Sequence, residues 1–429
     1  MPKVGRKAKR RRAIREDQYL SPDIWVQVIA SLPVKTLLKF RCVCRTWCSM
    51  IDTPDFVSKH LSLCKGNFDN THLLVFERSS KWGDKGCILR RTDTFRKTHQ
   101  YDFVTGQDGT HVEVEGHING VLLMHMADPS ETTGKLGNLV VLWNPSVRKS
   151  IKIPPPPILS KSTSKLKVEF CFGFDPFRED YKVLVITYHG PLSKVRVLIE
   201  VYTLSTGSWR AISNDLSFWC SKEQSFLEGA IYMTGRTLQA STPYHTHLVS
   251  FDVFCEVFNA IVLPNVENSA ELLDRTVTLI DQSVGLFDFG SNCSIVCVLD
   301  KHGGTESWTK RYTIDKTSDS LFYVERKGLF YVEKIHLLLF EGVGEGLKSY
   351  DIQTKQLKLL AKTIAYDSMH FVDTYVESLA LLKHSAQLCT VEAVCSKWDN
   401  HHPTLEEEKG SRDNVTVEVH DFNENLASG

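Results

Sequence analysis

Two short motifs contain residue types that take part in phosphate or nucleotide chemistry. Asp288-Phe289-Gly290 matches a tripeptide of kinases, and Gly342, Gly344 and Gly346 alternate as in a phosphate-binding turn. No glycine-rich loop, strand lysine or catalytic-loop motif accompanies the first, and the second lacks the last glycine of a dinucleotide turn. We therefore expect no catalysis at the tripeptide and a flexible loop at the three glycines.

Cysteines and histidines at close spacing could bind a metal ion. Cys42, Cys44 and Cys48 lie within a helical apolar pattern, and no second ligand pair at zinc spacing accompanies them. His245 and His247 alternate on a predicted strand and face one side, but no third ligand is identifiable. We expect buried thiols at the three cysteines and predict no metal and no cofactor. No nucleophile elbow is present, and we do not expect an enzyme.

The overall composition is that of an ordinary globular chain of 429 residues. Lysine and arginine number 51, as do aspartate and glutamate, so no net field favours nucleic acid or a membrane as partner. No apolar run approaches the roughly 18 residues of a spanning helix, and we expect neither secretion nor membrane insertion. The twelve cysteines then indicate reduced, buried thiols in the cytoplasm or the nucleus. Those within apolar stretches include Cys171, Cys220, Cys255 and Cys389.

Charge is distributed unevenly at the two ends of the chain. Residues 1–15 contain eight lysines and arginines and no acid, and residues 399–429 contain eight acids and two bases. Both segments are too charged to fold alone, which predicts a disordered basic arm (1–16) and a disordered acidic tail (396–429). The run from Lys9 to Arg12 is either a nuclear-import signal or part of a solubilising arm.

Residues 20–60 have the apolar periodicity of short helices. Ser21 can cap a helix and Pro22 suits its first position, which predicts a helix from Pro22 to Ser31. The apolar residues on one side of it are Ile24, Val28, Ile29 and Leu32. A second segment follows, and Thr53-Pro54-Asp55 opens a further short helix. About 40 residues cannot close a core around so many apolar side chains, so either a foreign protein or the rest of the chain covers them.

From about His72 to Leu382 the sequence has the pattern of short strands separated by turn residues. An apolar run followed by Asp, Asn or Thr and a polar turn recurs at spacings of 42, 59, 49, 48 and 51 residues. Its members are Tyr101-Asp102, Trp143-Asn144, Tyr202-Thr203, Phe251-Asp252, Leu299-Asp300 and Tyr350-Asp351. An Asp or Asn side chain there bonds to the backbone two residues on, which predicts hairpins. Glycines that precede apolar strands predict tight turns at Gly120, Gly229, Gly285 and Gly328.

The repeat decides the predicted fold class. Six hairpin units at a spacing of about 50 residues match the four-stranded blades of a β-propeller. The alternative is a pair of packed β-sandwiches, which need no regular period. We predict a multidomain α+β chain: a small all-α module over residues 17–62, then an all-β, propeller-like domain of about six blades over residues 70–395.

The helical segment resembles the F-box. Its matching motifs, in that family's order and spacing, are Leu20-Ser21-Pro22-Asp23-Ile24, Leu32-Pro33-Val34-Lys35-Thr36-Leu37-Leu38, Phe40-Arg41-Cys42-Val43-Cys44-Arg45-Thr46-Trp47 and Asp52-Thr53-Pro54-Asp55-Phe56. Ser21 departs from the family, which usually has proline there. The resemblance implies binding to an adaptor of the Skp family and, through it, to a cullin-RING ubiquitin ligase, the SCF complex.

The same resemblance implies a set of positions that face the adaptor or form the module's core, without sorting the two groups. They are Leu20, Pro22, Ile24, Val28, Ile29, Leu32, Pro33, Leu37, Leu38, Val43, Cys44 and Trp47. Burial of one large apolar side chain contributes roughly 1.5 to 3 kcal/mol before association costs, so such a set can support a stable complex without an ion pair.

The strand-rich part resembles the F-box-associated and kelch-like domains of plant F-box proteins. The matching segments are Asn144-Pro145-Ser146-Val147-Arg148, Gly173-Phe174-Asp175-Pro176, Asp180-Tyr181-Lys182-Val183, Tyr202-Thr203-Leu204, Gly229-Ala230-Ile231-Tyr232 and Tyr375-Val376-Glu377-Ser378-Leu379. The double glycine of kelch blades is missing, since the only Gly-Gly pair is at positions 303 and 304. This departure favours the F-box-associated type.

Together, these resemblances imply the substrate-recognition subunit of an SCF ubiquitin ligase, which recruits a target protein and performs no bond chemistry itself. Two alternatives stay open: an adaptor-bound scaffold without ligase activity, and a propeller-type enzyme or small-molecule sensor regulated through its F-box. Polar residues converging in a central pocket would favour the sensor, and the sequence indicates no such cluster. The target protein is unknown, and we expect its contacts on loops near residues 127–137, 155–167, 187–195 and 236–247.

Overall fold

The fold is known from a computed structural model of the chain. The described residues are 21–66, 71–78, 85–92, 94–103, 111–127, 139–161, 165–191, 194–213, 216–239, 246–264, 274–280, 282–289, 293–302, 305–315, 330–332, 337–342, 346–361 and 369–383. The predicted basic arm and acidic tail lie outside them, as do Leu20, His245, Gly290, Gly328, Gly344 and Cys389.

Among the described residues, four helices form the N-terminal module, and a fifth lies between two strands. The helices are α1 (Pro22–Ala30), α2 (Val34–Arg41), α3 (Arg45–Ile51), α4 (Pro54–Gly66) and α5 (Pro157–Lys161). Ser21 Oγ accepts a hydrogen bond from the backbone N–H of Ile24 at 3.4 Å, so Ser21 caps α1 as predicted. α4 extends to Gly66, and Phe56, His60 and Cys64 bury one side of it at four-residue steps. No helix of the described chain is long and apolar enough to cross a membrane.

The rest of the described chain is built mainly of strands. They are β1 (Thr71–Arg78), β2 (Lys85–Arg91), β3 (Lys97–Phe103), β4 (His111–Ile118), β5 (Val121–Ala127), β6 (Leu139–Asn144), β7 (Lys149–Ile153), β8 (Lys165–Asp175), β9 (Asp180–His189), β10 (Arg196–Thr203), β11 (Ser208–Ile212), β12 (Phe218–Leu227), β13 (Ala230–Thr237), β14 (His247–Asp252), β15 (Val257–Val262), β16 (Asp274–Ile280), β17 (Ser283–Phe289), β18 (Cys293–His302), β19 (Thr305–Asp315), β20 (Phe330–Val332), β21 (Leu337–Gly342), β22 (Gly346–Asp351), β23 (Leu357–Ala361) and β24 (Met369–Val376).

These strands form six antiparallel sheets of four strands each. The strand orders are β24-β1-β2-β3, β4-β5-β6-β7, β8-β9-β10-β11, β12-β13-β14-β15, β16-β17-β18-β19 and β20-β21-β22-β23. The prediction of a six-bladed propeller is confirmed, and the alternative of two packed sandwiches is wrong.

The innermost strands of the six blades surround a central channel. Each contacts the next around the ring, in the order β24, β4, β8, β12, β16, β20 and back to β24. The blade that contains β1 to β3 takes its innermost strand from the C-terminal side of the domain, where β24 pairs with β1 from Thr71↔Val376 to Glu77↔Met369. This pairing closes the ring, because strands from both ends of the domain share one sheet.

The repeated hairpin unit lies on the third strand of five blades. Asn144 Oδ1 accepts a hydrogen bond from the backbone N–H of Ser146 at 2.9 Å, and Asp252 and Asp351 make the same bond two residues on. These turns are as predicted. Tyr101-Asp102 is the exception, because it lies on β3, an outermost strand. In that blade β24 is the first strand and β3 the fourth, so the repeated unit lies on the fourth strand instead of the third.

Glycine turns follow the prediction at two of the described positions and not at a third. Gly120 and Gly229 have φ angles of +79° and +83°, which favour glycine, and directly precede β5 and β13. Gly285 lies inside β17, so the predicted turn is wrong there. A Cβ atom on Gly285 would meet Ile280 Cδ1 at 2.6 Å, so close packing rather than a turn requires glycine.

Apolar side chains between neighbouring blades form the propeller core. Leu123 of β5 and Val183 of β9, for example, belong to one buried cluster that joins two blades. All ten residues of β9 are buried. A second strand of a blade is covered on both sides by its neighbours, which is why such strands read as continuous apolar runs.

The helical module packs on the propeller through a shared core. Leu379, which follows β24, is 1% exposed and lies in one cluster with Ile29 and Leu37 of the module. Val147 and Leu382 of the propeller pack against the same cluster. The rest of the chain therefore covers part of the module.

Candidate binding surfaces and central cavity

An apolar surface on the helical module stays exposed. Ile24, Trp25 and Val28 of α1 are 45%, 49% and 48% exposed, and Val43, between α2 and α3, is 65% exposed. Ile24 and Val28 lie four residues apart on one side of α1, whereas Ile29 on another side is buried. We call Ile24, Trp25, Val28 and Val43 the module surface. Exposed apolar side chains that recur along one side of a helix, as Ile24 and Val28 do, are typical of a protein-binding site.

The structure sorts the positions that the F-box resemblance implies. Ile24, Val28 and Val43 belong to the module surface, and Pro33 and Cys44 are also exposed. The remaining described side chains are Ile29 and Leu37, which are buried, and Leu32, Leu38 and Trp47, which are partly buried. Pro22 is the first residue of α1, and Leu20 lies outside the described chain. The sequence prediction missed Trp25, although Trp25 precedes Val28 by three residues and Ile29 by four and therefore follows the helical period.

The cysteines of the helical segment are not the buried thiols expected from the sequence. Cys42 and Cys44 are exposed, and Cys48 is half-buried. Cys44 Sγ accepts a hydrogen bond from the backbone N–H of Trp47 at 3.5 Å and thereby caps α3. Their apolar neighbours in the sequence belong to the surface of the module, so the inference from composition failed. Of the other described cysteines expected to be buried, Cys171 and Cys220 are buried and Cys255 is exposed.

The module sits on the face of the propeller where first strands turn into second strands. Ser58 Oγ of α4 donates to Glu179 Oε1 in the β8–β9 turn at 2.5 Å. Lys65 Nζ donates to Asn119 Oδ1 in the β4–β5 turn at 2.8 Å. We call this the helix face of the propeller.

The opposite face, which we call the loop face, carries the remaining connections. In a blade of four antiparallel strands, the second connection and the link to the next blade emerge opposite the first and third turns. The predicted contact loops fall on these connections: 127–137 joins β5 to β6, 155–167 joins β7 to β8, 187–195 joins β9 to β10, and 236–247 joins β13 to β14. The topology therefore brings the ends of all four segments to the side away from the module.

A cavity of about 200 Å³ lies in the central channel. Residues of β4, β8, β12, β16 and β24 line it. Among the described residues, four acidic side chains and one lysine line it: Glu113, Glu115, Glu223 and Asp373, and Lys222. The expectation that no polar cluster converges in a central pocket is therefore wrong.

Two β-bulges place charged side chains at this cavity. The register between β4 and β5 shifts between Val114 and Gly116, so Glu115 has no partner on β5. The register between β12 and β13 shifts between Cys220 and Gln224, and Lys222 lies within that irregular stretch. Bulges redirect side chains at the expense of regular pairing and are common at functional sites.

Glu113, Glu115 and His125 have ligand atoms within 4.8 Å of one another, an arrangement that suits a metal ion. Lys222 Nζ donates to Glu113 and lies 3.3 Å from Glu115 Oε1. Burial alone lowers the pKa of Lys222, but the two carboxylates outweigh burial and raise it. Lys222 therefore remains charged and supplies the cation at this position.

A histidine–carboxylate pair lies along the same channel. His117 Nδ1 is 3.0 Å from Asp373 Oδ2, and the His117 side chain is only 7% exposed. His117 Nε2 is buried and has no hydrogen-bond partner in the described chain. A neutral imidazole that donates from Nδ1 carries its lone pair on Nε2, so in that tautomer Nε2 is a buried acceptor that the described residues leave unsatisfied.

The motifs considered first in the sequence have structural roles where they are described. Asp288 is buried, with Arg275 Nη2 3.1 Å from its Oδ2, and burial raises the pKa of Asp288 against the opposing effect of Arg275. Gly342 and Gly346 pair with each other at the ends of β21 and β22, so the prediction of a flexible loop is wrong for these two. His247 Nδ1 is 2.8 Å from Thr246 Oγ1.

Sequence reasoning missed the central cavity. The sequence shows only that Glu113 and Glu115 alternate on a predicted strand. His125 lies opposite Glu113 on the next strand, and Lys222 comes from another blade. The register and the order of the blades are needed before these residues can be placed together.

Comparison with known protein families agrees with this architecture. Residues 18–59 match the family described as F-box domain, and residues 73–327 match the family described as F-box associated beta propeller domain. The second match covers more than half of the chain. The chain belongs to the F-box-associated β-propeller family. The order of an F-box and then a propeller of this type confirms the resemblance found in the sequence motifs.

Several curated proteins of Arabidopsis thaliana are similar to this F-box protein. The "Putative F-box protein At4g21240" is 27% identical over 56% of this chain and 56% of its own length. The "F-box protein CPR1" is 22% identical over 79% of this chain and 83% of its own length. The "F-box/kelch-repeat protein At3g23880" is 23% identical over 69% of this chain and 80% of its own length. The match therefore spans little more than half of the first relative.

Proposed function

We propose that this F-box protein is the substrate-recognition subunit of an SCF ubiquitin ligase. The observation that carries the proposal is the module surface, which stays exposed although Ile29 and Leu37 are buried in the core that the module shares with the propeller. The F-box domain implies an adaptor of the Skp1 type as its partner. Covering a half-exposed apolar side chain contributes about 1 kcal/mol before association costs, so the adaptor also needs contacts beyond these four residues.

In this proposal the adaptor and the target protein bind on different sides of the propeller. The module contacts the helix face through Ser58 and Lys65 of α4, and the long connections lie at the loop face. A target protein bound at the loop face and a ligase bound through the module would be held by the same chain. This raises the effective concentration of the target protein near the ligase. In this proposal the chain acts by proximity and is not itself an enzyme.

The test is reconstitution of the complex with the full chain. The chain is co-expressed with a Skp-family adaptor, and binding is measured by calorimetry; we expect a dissociation constant of micromolar or below. A cullin-RING ligase is then added and the assembly is analysed by size-exclusion chromatography. Binding of the adaptor without recruitment of the cullin would favour the scaffold alternative, and absence of adaptor binding would contradict both.

A second candidate function is favoured by the central cavity. A propeller that senses a small molecule, with the F-box controlling its abundance or its ligase, would need a polar pocket of this kind. The sensor function predicts a small-molecule ligand that binds the isolated chain and changes either target capture or turnover of the chain in cells. Such a ligand is not required by the first proposal.

The place of action that we propose is the cytoplasm, the nucleus or both. The basic run from Lys9 to Arg12 is the feature that supports nuclear import. A fluorescent fusion in which these four residues are replaced by alanine would lose nuclear signal if the run directs import, and would keep it if the run only increases solubility.

A further inference from the structure

We propose that β15 is a docking edge at which a second copy of this chain pairs strand to strand. The inference goes beyond the proposed function, because it concerns the outer edge of one blade and neither the adaptor nor the target protein. It is carried by the composition of β15, the direction of its backbone groups and the exposed apolar side chains around it.

β15 differs in composition from the outermost strands of the other blades. Its residues, Val257–Val262, include no charged side chain. Each of the other five outermost strands carries an exposed lysine or arginine: Lys97 on β3, Lys152 on β7, Arg210 on β11, Lys310 on β19 and Lys358 on β23. A charge on an edge strand hinders pairing with another sheet, because pairing would remove the charge from water. Among the described blades, β15 alone lacks this protection.

The hydrogen bonds between β14 and β15 determine which residues of β15 face outward. Leu263 N donates to Thr246 O at 2.9 Å, directly after the last paired residues of this hairpin. In an antiparallel pair, every second residue directs both its N–H and its C=O toward the partner strand. Counting back from Leu263, Ile261, Asn259 and Val257 therefore face β14.

The alternate residues, Phe258, Ala260 and Val262, direct their backbone groups away from the sheet. Val262 O accepts a hydrogen bond from Trp308 Nε1 of the next blade at 3.2 Å, which agrees with this direction. β15 is the last strand of its sheet, and no further strand of the described chain pairs with it. The N–H and C=O groups of Phe258 and Ala260 are therefore available to a strand from outside the chain.

Exposed apolar side chains are concentrated around this edge. The described part of the propeller has six large apolar side chains that are exposed, and four of them lie on β15 or next to it: Phe177, Phe254, Val257 and Val262. Phe254 precedes β15 by three residues, and its ring centroid is 4.8 Å from that of Phe177, which is 78% exposed. A patch of this kind is typical of a protein-binding site.

A second copy of the chain fits the backbone pattern in one register. A two-fold axis perpendicular to the sheet makes the two strands antiparallel and keeps each face of the sheet on its own side. Odd-numbered residues then lie opposite odd-numbered residues, because side chains alternate between the faces. An axis at Asn259 places Phe258 of each copy opposite Ala260 of the other. Each of these two pairs can exchange two N–H···O bonds.

The same register also matches the side chains. Val257 of each copy lies opposite Ile261 of the other, and Phe254 comes near Val262 at the far end of the other strand. The two Asn259 side chains are directly opposite each other, close enough for an amide hydrogen bond. Because the pair covers β15 of both copies, association stops at two. The covered surface is small compared with the roughly 1,600 Å² of a standard interface, so we expect a dissociation constant in the micromolar range.

Light scattering and sedimentation of the full chain over a series of micromolar concentrations test the proposal. We expect a monomer–dimer equilibrium in the wild type. Asn259→Lys and Asn259→Glu each place two like charges opposite each other, so each is expected to weaken dimerisation about tenfold or more. An equimolar mixture of the two variants places opposite charges together and is expected to restore the dimer.

Ala211→Lys is the matched control. Ala211 is exposed on β11, an outermost strand that already carries Arg210, so this replacement is expected to leave the equilibrium unchanged. A wild type that stays monomeric, a dimer that survives both single variants, or a mixture that stays monomeric overturns the proposal.

Hydrogen exchange of the wild type decides the question if the variants do not fold. The amides of Phe258 and Ala260 must exchange more slowly at high protein concentration than at low concentration, with the amide of Asn259, which faces β14, as the reference. Equal exchange at both concentrations overturns the proposal. Absence of adaptor binding leaves all of these measurements unaffected.

Discussion

The backbone N–H of Val34 donates a hydrogen bond to Glu377 Oε2 at 3.3 Å. Pro33 precedes α2 at the N-cap position and makes no side-chain cap, so the carboxylate of Glu377 takes over that role. Its negative charge also suits the positive end of the helix dipole. The two residues are 343 positions apart, and Glu377 directly follows β24. The closing strand of the propeller therefore helps to orient the second helix of the F-box.

Removing this cap is expected to loosen the module. Glu377→Ala should lower the free energy of unfolding by about 0.5 to 2 kcal/mol and accelerate hydrogen exchange of the first α2 amides. Glu377→Gln keeps an acceptor and loses the charge, so its effect should be smaller. Unchanged exchange at Val34 in the alanine variant would mean that the contact does not hold α2.

The shared core of module and propeller depends on Leu379. It is 1% exposed in a cluster with module residues, and Leu379→Ala is expected to cost about 2 to 5 kcal/mol through lost burial and an unfilled cavity. Leu359→Ala is the matched control, since Leu359 is 48% exposed on β23 and its loss should cost less than about 1 kcal/mol. Urea unfolding of both variants measures the difference, and equal losses would contradict the shared core.

The module surface is expected to bind the adaptor. Val28→Glu places a charge among exposed apolar residues and should weaken adaptor binding about tenfold or more, since a buried, unpaired charge is costly. Val262→Glu is the control: Val262 is 66% exposed on β15 of the propeller, and its replacement should leave adaptor affinity unchanged. Calorimetry gives the affinities and thermal unfolding verifies that both variants fold. An unaffected affinity in Val28→Glu would place the adaptor elsewhere.

Acidification is expected to destabilise the module through His60. Burial lowers the pKa of His60 from its ordinary 6.5, only partly opposed by the hydrogen bond to Leu32 O. The unfolded chain therefore binds a proton at a higher pH than the folded chain, and stability is lost as the pH falls below about 6.5. The free energy of unfolding at about pH 7.5 and about pH 5.5 measures this loss. His60→Gln should lose less stability than the wild type over that range, and an equal loss in both would exclude His60 as the cause.

Cysteine labelling tests the unexpected exposure of the module's thiols. Cys42, Cys44 and Cys255 are exposed, whereas burial raises the pKa of Cys64 to about 11 and that of Cys220 to about 12. Because the thiolate is the reactive form, iodoacetamide should label the exposed three in the native chain and the buried two only after unfolding. Mass spectrometry of timed samples gives the rates, and rapid native labelling of Cys220 would contradict its burial.

The order of the two domains and the type of each were predictable from the sequence because their signals are local. A cap such as Ser21 and a turn such as that of Asp252 form within a few residues. The F-box motifs are also local, and the period of the turns counts the blades. None of these signals requires knowledge of which strand lies beside which.

Tertiary structure alone decided what depends on distant parts of the chain. It covered Leu37 but left Val43 exposed, and it exposed thiols that composition had assigned to the core. Pairing of β24 with β1 moved Tyr101 to an outer strand, out of step with the repeat. The cavity arose in the same way, because Glu113, Lys222 and Asp373 come from three blades. The periodicity of a strand or helix predicts which of its faces is apolar or charged. Which residues contact that face depends on how the blades and the module pack in the folded chain.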